Sequence, residues 1–100
     1  MNFKEEVYEV VKKIPKGKVT TYGLIAQELG KPRWSRQVGW VLHQNEEGSV
    51  VPCHRVVDRT GRLAPNFAFD GAEEQRRRLI DEGVKFTDEM HVDLSLYLQK

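Results

Sequence analysis

Helical patterns in this chain are repeatedly cut short, and that limits it to short helices around one small core. Phe3, Val7, Val10, Val11 and Ile14 recur at helical spacing with charged residues between them, which predicts an amphipathic helix over 3–14. Pro15-Lys16-Gly17 ends it, since proline brings no amide hydrogen to a helix and glycine leaves helical geometry freely. Lys18-Val19-Thr20 reads as a short extended entry. Thr20 or Thr21 can then cap a second helix, with Leu24, Ile25 and Leu29 apolar and Gly30 at its end. Trp34, Val38, Val41 and Leu42 share the face of a third helix begun by Pro32 or Ser35. Two short helices joined through Gly30-Lys31-Pro32 suggest a helix-turn-helix.

Beyond the third helix, residues 44–51 read as a polar loop running into an apolar stretch that ends at Pro52. Val56-Val57 and Arg62-Leu63 flank Asp58-Arg59-Thr60-Gly61, a turn of hairpin length, so a short β-hairpin is expected there. Residues 64–70, APNFAFD, form an irregular loop. A fourth helix is expected over 71–82, with Ala72, Leu79 and Ile80 on one side and Gly83 as its stop, while residues 84–100 show no strong period. The reading is one α/β domain over residues 1–100, mostly helical.

The 100 residues carry a net charge of +1, which by itself selects no polyanionic partner. The basic residues nevertheless fall in groups: Lys31, Arg33 and Arg36; Arg55, Arg59 and Arg62; and Arg76, Arg77 and Arg78. They form either one basic face or an ordinary solvated surface. No apolar run is long enough to span a bilayer, and MNFKEEVYEV has acidic residues where a signal peptide needs basic and then apolar ones. A cytoplasmic protein that engages no membrane is expected. The single cysteine, Cys53, agrees with a reducing compartment.

Cys53 stands in Pro52-Cys53-His54-Arg55-Val56-Val57. A thiol reacts as its thiolate, and an adjacent cation or imidazole can lower its pKa or accept its proton. Sequence neighbours seldom point the same way, so His54 would act through a tight turn or a bridging water. Pro52 restricts the backbone in a way that suits such a turn. A lone cysteine is equally at home as a small buried apolar residue. Glu82 falls in the last turn of its helix, where the helix dipole disfavours a carboxylate. Either it orients an imidazole, as the third member of a triad does, or it is a surface residue paired with Arg78.

The PCHRVV stretch resembles the active-site signature of the O6-alkylguanine-DNA alkyltransferase family, and the likeness runs over roughly residues 3–86. Val19-Thr20-Thr21-Tyr22 resembles the family's entry to its first DNA-contacting helix. Arg36-Gln37-Val38-Gly39 resembles the start of its recognition helix, with Arg36 in the place of the arginine finger. Asn45, eight residues before Cys53, has the spacing of the family's hinge asparagine, and Glu82-Gly83 matches the Glu-Gly that closes the following helix.

The resemblance implies a winged-helix-like domain that binds the minor groove of double-stranded DNA containing O6-alkylguanine and flips the damaged base out. It implies that Cys53 takes the alkyl group once, and that His54 accepts the thiol proton while Glu82 holds the imidazole. Asn45 would brace the site, and Tyr22 would donate toward the guanine ring as it leaves. Thr21, Tyr22, Arg36, Gln37, Gly39 and Arg55 would meet DNA. No cofactor is implied. His43, His54 and His91 with one cysteine show no zinc spacing, so no metal is expected, and the chain is expected to act as a monomer.

One segment departs from the repair enzymes. Arg62–Gly71, RLAPNFAFDG, lacks their Asn-Tyr-Ser-Gly-Gly loop and resembles that of the alkyltransferase-like proteins, as does Gln75. Those relatives bind alkylated guanine without repairing it and pass the lesion to nucleotide excision repair proteins, commonly with tryptophan in place of the cysteine. Here the cysteine is intact. Phe67 and Phe69 either line the base pocket together with Pro52 or pin the loop to the core. Trp40 is bulkier than the small residue of the repair enzymes, at a spacing consistent with packing. Alkyl transfer to Cys53 is the leading expectation, a lesion sensor is the second, and a sequence-specific helix-turn-helix regulator is the third.

Overall fold

The structure is a computed structural model that describes residues 1–45, 50–64 and 71–99. Its elements in order are α1 (Phe3–Lys12), β1 (Thr20–Thr21), α2 (Tyr22–Glu28), α3 (Ser35–His43), a 3₁₀ turn (Cys53–Arg55), β2 (Val56–Val57), α4 (Ala72–Asp81) and α5 (Leu94–Tyr97). The four expected helices are present, with ends set by local chemistry. Asn2 starts α1 through a capping box: its side chain accepts from the Glu5 amide at 2.8 Å, and the Glu5 carboxylate accepts from the Asn2 amide at 3.4 Å. Thr21, not Thr20, caps α2, its hydroxyl accepting from the Leu24 amide at 3.2 Å.

The expected hairpin is not what forms. The turn is present, with the Gly61 amide donating to the Asp58 carbonyl at 2.9 Å, but the strand before it pairs elsewhere. Val56 and Val57 run parallel to Thr20 and Thr21, and Arg62 bridges antiparallel to His91. Both valines are buried, so they need a partner that covers both faces, which an isolated two-stranded hairpin does not supply. The aperiodic C-terminal stretch is ordered by similar pairings, Phe86 with Val92 and Val19 with Leu98.

Because successive strand residues face opposite ways, β2 divides the core. Val56 joins Val7, Val10, Val11, Ile25, Ala26, Val38 and Leu42, the body of the helix-turn-helix, with Tyr22 and Cys53 packed against it. Val57 joins Val19, Leu63, Leu79, Val84 and Val92. The Cys53–Arg55 turn, immediately before β2, therefore lies where the α1–α3 unit meets α4. Trp34 and Trp40, expected on a packed face, are instead 40% and 67% exposed. Trp34 meets the Phe3 ring edge-on, and Trp40 stacks on His43.

A candidate active site beside the helix-turn-helix

Three segments converge on Cys53. The C-terminus of α3 brings Asn45, whose amide Nδ2 donates to the Val51 carbonyl at 3.2 Å and to the Cys53 sulfur at 2.8 Å. One side chain thus ties the end of α3 to the strand of backbone that carries the thiol. Cys53 Sγ also lies 3.9 Å from the Leu42 carbonyl. Burial pushes the thiol up to about 11, against the Asn45 hydrogen bond, which favours the thiolate. The resting group at neutral pH is therefore the protonated thiol.

Beyond Cys53 the 3₁₀ turn sends the next side chains toward α4. His54 Nε2 is 2.7 Å from Glu82 Oε2. Burial lowers the imidazole pKa, outweighing the opposing effect of Glu82, so the ring is neutral at physiological pH. With Nε2 donating its hydrogen to the carboxylate, Nδ1 is the ring's acceptor. Arg55 donates through Nε to Glu82 Oε1 at 3.0 Å, through Nη2 to Glu82 Oε2 at 2.8 Å and through Nη1 to the Ile14 carbonyl at 2.8 Å. Burial alone would raise the Glu82 carboxyl, but the bonds from Arg55 and His54 prevail and bring it down to about 2.

Glu82 holds its place because α4 ends at that residue. Gly83, at φ +88°, takes the left-handed conformation that closes a helix, its amide donating to the Ile80 carbonyl at 2.9 Å and the Val84 amide to the Leu79 carbonyl at 3.0 Å. The unfavourable position of a carboxylate at that end is offset by the Arg55 fork and by the Gly17 amide at 3.4 Å. Glu82 thus contacts the His54 imidazole and the Arg55 guanidinium together.

Tyr22 opens α2 with its ring against Gly39 of α3; a Cβ there would stand 3.7 Å from two ring carbons. Burial, reinforced by the nearby Asp58 and Cys53, pushes the phenol up to about 12, so it stays a proton donor. Arg36 and Gln37 are exposed in the first turn of α3. Thr21 is buried and occupied as a cap, and Arg55 is turned inward. Pro52 precedes the turn, half-buried, its carbonyl accepting from the Arg55 amide at 3.0 Å. Phe67 and Phe69 lie outside the described residues. Among the described residues no three His, Cys, Asp or Glu side chains gather as a metal site, and no helix is long and apolar enough to cross a membrane.

Sequence reasoning named two contributors without their contacts. Arg55, expected to meet DNA, forks onto Glu82, a partner 27 residues away that no local pattern announces. Gln75, noted only for its likeness to the alkyltransferase-like proteins, is wholly buried between Ala72 and Leu79 on the inward side of α4.

The family described as "6-O-methylguanine DNA methyltransferase, DNA binding domain" matches residues 2–84. The DNA base-flipping protein of Escherichia coli is 42% identical over 96 residues, which are 96% of this chain and 73% of that one. The crystal structure of Schizosaccharomyces pombe Atl1 in complex with damaged DNA containing O6-carboxymethylguanine superposes with a TM-score of 0.86 at 36% identity, over 98% of this chain and 94% of that one. The O6-methylguanine methyltransferase of Mycobacterium tuberculosis gives a TM-score of 0.72 at 33% identity, over 82% of this chain but 48% of the enzyme. With the helix-turn-helix and the Asn45, Cys53, His54 and Glu82 cluster in place, these matches show that the chain belongs to the O6-methylguanine DNA methyltransferase family, through its winged-helix-like DNA-binding domain.

Proposed function

We propose that this protein binds double-stranded DNA containing O6-alkylguanine in the minor groove and transfers the alkyl group to Cys53. The observation that carries the transfer step is a half-buried thiol hydrogen-bonded by Asn45 and followed by an imidazole whose far nitrogen is tied to a carboxylate. Arg36, exposed on α3, enters the duplex where the flipped base leaves, since the alkyl carbon is shielded while the guanine is stacked. Gln37 lies beside it on the same turn.

In the reaction the thiol proton passes through a water to Nδ1 of His54, and Glu82 stabilises the imidazolium that forms. The sulfur lone pair attacks the alkyl carbon in line as the carbon–O6 bond breaks. The electron pair left on the guanine is neutralised by a proton donated from Tyr22, which recovers one from the imidazolium through solvent. The net products are guanine and a thioether on Cys53, so each molecule acts once. Arg55 serves this reaction from inside, by fixing Glu82, and makes no phosphate contact.

A lesion sensor is the second reading. It is favoured by the thiol's pKa of about 11 and by the near full-length match to Atl1 and to a base-flipping protein. Passing the lesion to nucleotide excision repair proteins belongs to that reading. Both readings require tighter binding to a duplex with one O6-methylguanine than to the undamaged duplex, which fluorescence anisotropy measures. Preference for one undamaged sequence would overturn both in favour of a helix-turn-helix regulator.

A further inference from the structure

We propose that Gln75 is a positioning residue that fixes His54 and the Ala64 backbone relative to Cys53. Its side chain is 0% exposed. Nε2 donates to the His54 carbonyl at 3.1 Å and to the Val56 carbonyl at 2.9 Å, and Oε1 accepts from the Ala64 amide at 2.7 Å. Both amide hydrogens are therefore spent on the backbone on either side of Arg55, and the oxygen is spent on the Ala64 amide.

Packing alone does not explain this residue. Ala72 and Leu79 flank it on the inward side of α4 and belong to the apolar cluster around Val57. The helical pattern calls for another apolar side chain between them, and a buried amide is tolerated there only because its bonds are satisfied. Two turns further along the same helix, Glu82 holds Nε2 of the same histidine. Thus α4 grips His54 twice, by its carbonyl through Gln75 and by its ring through Glu82. With only the second grip the imidazole could follow Glu82 while its backbone shifted, and Nδ1, the nitrogen that Glu82 leaves free to accept a proton, would move with it.

The inference rests on Cys53 and His54 being the reacting pair. Its test compares the wild-type chain with Gln75→Met, which keeps the volume and removes all three bonds, after circular dichroism has shown the variant folded. Misplacement of a general base by a fraction of an ångström should slow methyl transfer from an O6-methylguanine duplex roughly ten- to a hundredfold, with duplex affinity changed less than about twofold. The pH profile of the transfer rate should shift as well, which loss of stability alone does not produce in a folded protein.

Equal rates and equal pH profiles would overturn the proposal. If the wild-type chain itself transfers nothing, the transfer reading fails, and Gln75 is judged by the pH profile of Cys53 modification with iodoacetamide. An unchanged profile in Gln75→Met then refutes its role. If Gln75→Met does not fold, hydrogen exchange of the wild-type Ala64 amide decides: strong protection supports the strap and rapid exchange overturns it.

Discussion

Glu82 Oε2 stands 2.7 Å from His54 Nε2, and the same oxygen accepts from Arg55 Nη2 at 2.8 Å. A half-buried carboxylate thus joins the His54 imidazole to the guanidinium that links it to Ile14 at the end of the α1 segment.

The first consequence is acid sensitivity. Burial raises the Glu82 carboxyl, but the bonds from Arg55 and His54 outweigh it and leave the folded value at about 2, below the ordinary 4.5. A depressed carboxyl stabilises the fold fully above its unfolded value and loses that contribution as pH falls toward about 2, on the order of 3 kcal/mol in all. His54, lowered by burial, acts in the same direction: the unfolded chain takes up its proton more readily as pH drops below the ordinary imidazole value. Thermal melts should show Tm falling from neutral pH downward, with a further loss below pH 4.5. Glu82→Gln should lower Tm at pH 7 by roughly 10 °C or more and flatten that acid limb. An unaltered limb would remove Glu82 from the linkage.

Asn45→Ala removes the donor that favours the thiolate, so the thiol pKa should rise above about 11 and Cys53 should react more slowly with iodoacetamide at pH 8. The Val51 carbonyl also loses its bond from Asn45, at a stability cost of about 1–2 kcal/mol. Mass spectrometry over a time course reads the first effect and urea unfolding the second. Equal reactivity would mean that the Asn45 bond does not tune the sulfur.

On the proposed docking, in which Arg36 fills the duplex and does not sit on a phosphate, Arg36→Ala should weaken binding to an O6-methylguanine duplex by about tenfold or more and leave the salt slope nearly unchanged, whereas losing a phosphate contact lowers it by about one unit. Wild-type affinity in Arg36→Ala, measured by anisotropy across a salt series, would overturn the docking of α3.

Trp40 follows Arg36 by one turn of α3, is 67% exposed, and stacks on His43. Its indole should therefore be covered when α3 meets DNA. Tryptophan emission should be quenched on adding duplex, and Trp40→Phe should abolish most of the change, leaving Trp34 as the internal reference. Full quenching in Trp40→Phe would place the contact elsewhere.

The helices were legible in the sequence because each carries its own period and stop: Thr21 and Gly30 bracket α2, and Gly83 ends α4. The pairing of Val56 and Val57 was not, since two buried β-branched residues say that a strand has neighbours without naming them, and Thr20 and Thr21 lie far away in the chain. The same limit applies at the site. Cys53 and His54 stood out through one six-residue stretch, and Glu82 through its odd position at a helix end. Arg55 read as a DNA contact until the fold brought Glu82 to it. Trp40 fitted a packed helical face by spacing alone, because spacing fixes which residues share a face but not which face is covered.

Alkylation of Cys53 is tested most directly by the intact mass of the protein after incubation with a duplex carrying one O6-methylguanine, beside an undamaged duplex and a Cys53→Ala control. A stoichiometric gain of one methylene, mapped to Cys53, seen only with the damaged duplex and absent from Cys53→Ala, is the predicted result. Tight, selective binding to the damaged duplex with no mass gain would contradict the transfer assignment and establish the site as one that reports the lesion.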